Sequence, residues 1–266
     1  YPAILTDEVV GEQAKKVFAD AQAMLKKMIE GRWLTANAVI GLYPANRVNA
    51  DDIALYADEA RSQPVLTWHG LRQQTEKQEI DGVMRPSRCL ADFVAPVGTA
   101  DYVGLFAVTA GVGVEKKEQQ FLAAHDDYSA ILFKALADRL AEALAECMHA
   151  RVRRDLWGYA AAEQLSSEEL IKEKYQGIRP APGYPACPDH SVKRQMFELL
   201  QADDIGMALT ESLAMTPAAS VSGFYLAHPE STYFNVGKLG DDQVQDLAAR
   251  SRVAQAELKR WLGTNL

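Results

Sequence analysis

No uncharged apolar run in this sequence approaches the ~18 residues a membrane-spanning helix requires. The longest, Tyr102 to Val114, is interrupted by Gly104, Gly111 and Gly113, so no membrane partner is expected. Cysteine is scarce: Cys89, Cys147 and Cys187 are the only three in 266 residues. An odd, sparse count excludes a disulfide-stapled scaffold and points to a reducing compartment, the cytoplasm. Positive charge is short as well. The formal net charge of −8 disfavours nucleic acid, because phosphate binding rewards cationic surfaces. Internal repeats, low-complexity tracts and Gly/Ser linkers are missing, so residues 1–266 are expected to form one domain, acting as a monomer. The opening Tyr1-Pro2-Ala3-Ile4-Leu5 has no methionine, basic n-region or signal-type cleavage site. A processed product, or an N-terminally truncated piece of a longer chain, is expected.

What the sequence does contain is an irregular alternation of helix and strand signals. Val10, Ala14, Val17, Phe18, Ala21, Met24, Leu25 and Met28 fall at helical spacing and predict a helix ending near Gly31. Asn37 to Tyr43 reads as a buried strand stopped by Pro44, and Tyr102 to Thr109 as a second. Ile53–Tyr56 and Val65–Trp68 are shorter strands, and Leu71–Lys77 could begin a helix. Lys116 to Arg154 predicts two helices, or one bent near His125-Asp126-Asp127. Ser166 before Glu168 and Glu169 is an N-cap signal. His190–Leu200, Asp241–Ser251 and Val253–Leu262 read as helices, and Val221–Ala227 with Thr232–Lys238 as a hairpin turning at His228-Pro229-Glu230-Ser231. The sum is an α+β domain with a central, mainly antiparallel sheet, long helices, and a C-terminal hairpin followed by helices.

Several constellations could carry chemistry. Gly111-Val112-Gly113 lacks the third glycine and the downstream acid of a dinucleotide fingerprint, so a plain glycine turn is the better reading. Cys187/His190 and Cys147/His149 match no zinc spacing, and no metal site is expected. Cys147 reads as a small buried hydrophobe on a helix. Asp138 and Glu142, four apart, share one helix face; a solvated, salt-bridged face is the plain alternative. His149, Arg151, Arg153 and Arg154 read as a solvated helix end or a docking patch. The strongest local signal is Arg179-Pro-Ala-Pro-Gly183-Tyr184-Pro-Ala186-Cys-Pro188. Its four prolines preorganise the backbone, Gly183 permits close approach, Arg179 offers a fork for a carboxylate, and Tyr184 a flat face. A rigid structural crossing would explain the same composition.

The run from Arg179 to His190 resembles the C-terminal activation domain of cobalamin-dependent methionine synthase, the S-adenosylmethionine-binding domain. So do Gly41–Arg47, Leu71–Lys77, Cys89–Pro96, His125–Tyr128, Lys134–Glu142, Leu209–Ser212 and Ser220–Gly223, in the family's order along nearly the whole chain. The resemblance implies a domain that caps a corrin and holds S-adenosylmethionine over cobalt. An electron from flavodoxin or an equivalent reductase then drives remethylation of oxidised cobalamin bound by another domain of the same enzyme. It implies further that Arg179 pairs with the methionyl carboxylate and Glu142 holds the α-ammonium. The loop from Gly183 to Ala186 would line the ligand, and Tyr233 and Phe234 would flank the adenosine. Tyr184 would face the corrin, and Asp138 the histidine that leaves cobalt. The resemblance assigns no catalytic residue to the isolated domain. The family's Asp-Trp-Thr-Pro-Phe-Phe stretch does not occur in this sequence, and Val114 stands where the family has an acid. A self-sufficient methyltransferase, or an electron-transfer docking module without ligand, would be the competing readings.

Overall fold

A computed structural model describes residues 3–77, 79–80, 82–263 and 265–266; Tyr1 and Pro2 lie outside them. Five strands form the central sheet: β1 Thr35–Arg47, β2 Asp52–Tyr56, β3 Pro64–His69, β6 Tyr102–Val112 and β9 Ser220–Tyr225. Their order is β3-β2-β1-β6-β9, every pair antiparallel. Two short hairpins, β4 Glu79–Ile80 with β5 Val83–Met84 and β7 Ala208–Leu209 with β8 Met215–Thr216, stand outside it. The helices are α1 Gly11–Glu30, α2 Val114–Ala123, α3 Asp127–Arg151, α4 Ser167–Ile171, α5 Lys193–Leu200, α6 Asp241–Ser251 and α7 Gln255–Trp261. Among the described residues no helix is long and apolar enough to cross a membrane.

The near-continuous apolar run of β6 follows from its central place, because both of its faces are covered. Phe106 and Val108 pack with Ala145 and Val152 on the α3 side, while Leu105 and Ala107 face Met196, Phe197 and Leu200 of α5. Each large apolar side chain so buried contributes about 1.5–3 kcal/mol. The α3 stripe that reaches the sheet is small-sided, with Ala137, Ala141 and Ala145 all buried, so the helix lies close to β6. The bend expected near His125 separates α2 from α3, and Asp126 caps α3 through Ser129 N–H at 3.0 Å. Ser166 and Glu169 form the reciprocal cap of α4. Gly111 and Val112 close β6, and Gly113, at φ +99°, makes the turn into α2.

Several local expectations give way to long-range contacts. Pro44 does not end β1. It sits where that strand changes neighbours, from β6 (Pro44 opposite Tyr102) to β2 (Ala45 opposite Leu55), so its missing N–H interrupts neither ladder. Leu71–Lys77 forms no helix, because its backbone is claimed elsewhere: Gln73 N–H donates to Arg88 and Gln74 N–H to Val236. The Arg72 guanidinium meanwhile spans Asp51 and Asp92. The second hairpin strand is also absent, and residues 232–238 are irregular. The flank of β9 that it would occupy is already taken. Ile178 exchanges backbone hydrogen bonds with Leu226, and Phe224 N–H donates to Pro180 O at 2.9 Å. Gly223 makes this close approach possible, since a Cβ there would stand 2.4 Å from the Pro180 carbonyl oxygen. Cys147 is exposed rather than buried, two positions off the alanine stripe.

Candidate functional site

The segment paired to β9 delivers the proline-rich loop to the end of the sheet. Beyond Pro180 the chain turns tightly: Tyr184 N–H donates to Ala181, Gly183 N–H to Cys187 at 2.7 Å, and Cys187 N–H back to Tyr184. Gly183 has φ +95°, and a Cβ on it would lie 2.1 Å from the His190 ring. Both facts demand glycine. Gly183→Ala is therefore expected to destabilise the fold by about 2–3 kcal/mol and to push the turn outward. Urea unfolding checks the first effect; a loss below ~0.5 kcal/mol, the scale of a neutral surface change, would contradict it.

Between this turn, α3 and the 233–235 segment lies a cleft of about 510 Å³. Its lining includes Arg179, Glu142, Tyr184, Ala186, Tyr233 and Phe234. Gly183 lines a smaller adjoining cavity of about 140 Å³ with His190 and Lys193. Asp138 lines neither and is exposed one helical turn from Glu142. The 233–235 segment is fastened without a strand: the Tyr233 hydroxyl accepts from Arg179 N–H at 3.0 Å, and Val236 N–H donates to Pro185 O at 2.9 Å. Tyr184 stands out from the loop, 61% exposed.

Behind the cleft is a polar network that sequence reading placed in solvent. His149 and Arg153 are fully buried, not part of a solvated helix end. Arg179 donates from Nη1 to the Tyr175 hydroxyl at 3.0 Å and meets His149 Nδ1 at 3.1 Å, while its Nη2 donates to Glu146 at 2.6 Å. Burial, and then the charges of Arg153 and Arg179, push His149 down to about 2. It is neutral at pH 7. Since a guanidinium can only donate, Nδ1 is the acceptor and the ring proton sits on Nε2. The ring stacks on Tyr225, with centroids 5.1 Å apart. Arg153 is clamped by both Glu163 oxygens, at 2.7–3.0 Å, and covers the Tyr175 ring. Burial opposes the Arg179 charge, but Tyr175 and Glu146 beside it raise its pKa above the ordinary arginine value.

Glu142, Glu146, His149 and Arg153 are spaced i, i+4, i+7, i+11 along α3 and its continuation. That spacing is legible in the sequence as one helix face. Burial deepens along this face, from exposed Glu142 to enclosed Arg153. The thiol of Cys187 is buried and its pKa raised by that burial, which removes it as a nucleophile. Among the described residues no cluster of His, Cys, Asp and Glu could hold a metal ion.

An antiparallel sheet backed by a long helix thus carries, at one end, a cleft lined by both a guanidinium, Arg179, and a carboxylate, Glu142. The chain's relatives are more specific. The sequence matches the family described as vitamin B12 dependent methionine synthase, activation domain, over residues 1–252, and the chain belongs to that family. It is also similar to the crystal structure of the MetH reactivation domain bound to AdoHcy: 54% identity, covering 100% of this chain and 81% of that one, with a TM-score of 0.91.

Proposed function

We propose that residues 1–266 serve as the reactivation unit of a cobalamin-dependent methionine synthase, binding S-adenosylmethionine in the 510 Å³ cleft. The observation that carries this reading is the state of Arg179. Tyr175, His149 and Glu146 engage three of a guanidinium's five N–H groups. Two are left without a protein partner among the described residues, enough for both oxygens of a carboxylate. Glu142 lines the same cleft and supplies the negative charge an α-ammonium needs. The residues present therefore fit the amino-acid end of the ligand, and Tyr233 and Phe234 offer flat faces to the adenosine.

In this reading the chain's own work is binding and orientation. The backbone from Gly183 to Ala186 fixes the ligand against the cleft, and exposed Tyr184 meets the corrin. Asp138, on the same face of α3, meets the histidine displaced from cobalt. Cobalamin, held by another domain of the parent enzyme, supplies the methyl-accepting metal, with the electron coming from flavodoxin or an equivalent reductase. Calorimetric titration with S-adenosylmethionine tests the proposal. Saturable one-to-one binding, with no methyl transfer in the absence of a cobalamin domain, is expected; no heat at millimolar ligand would overturn it.

A further inference from the structure

S-Adenosylmethionine and its demethylated product have nearly the same shape but differ by one unit of charge, because the sulfonium becomes a neutral thioether. A site that loads the first and releases the second gains from sensing that charge. Arg179 alone would work against this, since a cationic cleft favours the product. The structure pairs Arg179 with Glu146 at 2.6 Å and leaves Glu142 in the lining with no salt-bridge partner among the described residues.

Surrounding groups do not reverse that balance. Arg153 and Glu163 neutralise each other, and His149 is neutral. Lys193 lines only the adjoining cavity, where its ammonium donates to the Leu213 carbonyl. Asp138 adds negative charge on the same helix face, and Glu173 adds it beside Tyr175 and Tyr233. Glu146 itself is only 27% exposed, and its second oxygen is buried with no hydrogen-bond partner, so its charge is poorly screened by water.

We infer that Glu146 is a specificity-determining residue: by cancelling the Arg179 charge it keeps the cleft net negative and selects the cationic methyl donor over the neutral product. The inference rests on the binding of S-adenosylmethionine proposed above. Glu146 does not line the cleft and acts through Arg179 and through its field. Glu142 anchors the ligand; Glu146 sets which ligand is preferred.

The test is a two-by-two calorimetric comparison, S-adenosylmethionine and S-adenosylhomocysteine against the unaltered chain and Glu146→Gln. The double difference removes methyl-packing effects common to both proteins. The unaltered chain is expected to prefer the cation, and Glu146→Gln to reduce that preference about fivefold, the scale of one charge acting over ~8 Å in a partly screened site. Glu146→Asp keeps the charge and should keep the preference, even if both ligands bind less tightly. Should Glu146→Gln fail to fold, salt decides: in the unaltered chain the preference should shrink between 50 and 500 mM, on the order of a tenfold rise in ionic strength. Binding of both ligands with a preference unmoved by either perturbation overturns the inference and leaves the proposed function standing. No binding of either ligand to the unaltered chain overturns both.

Discussion

Glu163→Ala is expected to lower folding stability by about 3–5 kcal/mol, because it strands a buried guanidinium. Arg153 is completely enclosed, and Glu163 holds its Nε and Nη2 with three contacts of 2.7–3.0 Å, while its Nη1 is buried without a hydrogen-bond partner among the described residues. The midpoint of urea unfolding reads the loss directly. The double substitution Arg153→Met with Glu163→Leu should regain most of it, since an apolar pair of similar volume avoids the desolvation that the ion pair suffers. A loss under ~1 kcal/mol for the single change would place the pair in the class of weak surface bridges and contradict the enclosure described.

Arg179→Ala is expected to weaken S-adenosylmethionine binding by about 2–3 kcal/mol, roughly 30- to 150-fold. Among the described residues the side chain is the cleft's only lining cation, and its removal also leaves Glu146 half-buried beside the place of the ligand carboxylate. Arg179→Lys should recover little. One ammonium cannot reach Tyr175, His149 and Glu146 while offering two donors to a carboxylate. Titration calorimetry at fixed ionic strength measures both variants, and a change below threefold for Arg179→Ala would remove this residue from the ligand's recognition.

How much of this was legible in the sequence depended on whether local or distant atoms decide the backbone. The continuous apolar run of β6 and the apolar stripe of α3 reflect their own burial, and both elements form where expected, whereas β1 runs on past the proline expected to stop it. Residues 71–77 and 232–238 go otherwise, because the first bonds to Arg88 and Val236 and the second to Pro185 and Gln74, partners that lie outside each segment's own window. The site divides the same way. Arg179, Gly183 and Tyr184 stand out through proline-rich chemistry next to them in sequence. His149 and Arg153 look like an ordinary basic helix end until Glu163, ten residues beyond Arg153, and the more distant Tyr175 and Tyr225 fold over them.

The pairing of residues 178–180 with β9 has a consequence for how the molecule keeps to itself. An uncovered outer strand is a template on which another chain can add, and β9 carries Val221, Phe224 and Tyr225. The segment that brings Arg179 to the cleft lies along this strand and consumes its free Phe224 N–H and the Leu226 polar groups. One short stretch of chain thus serves as ligand cradle and as guard of the sheet's edge. Damage to the cradle would be felt as self-association of the protein as well as loss of its ligand.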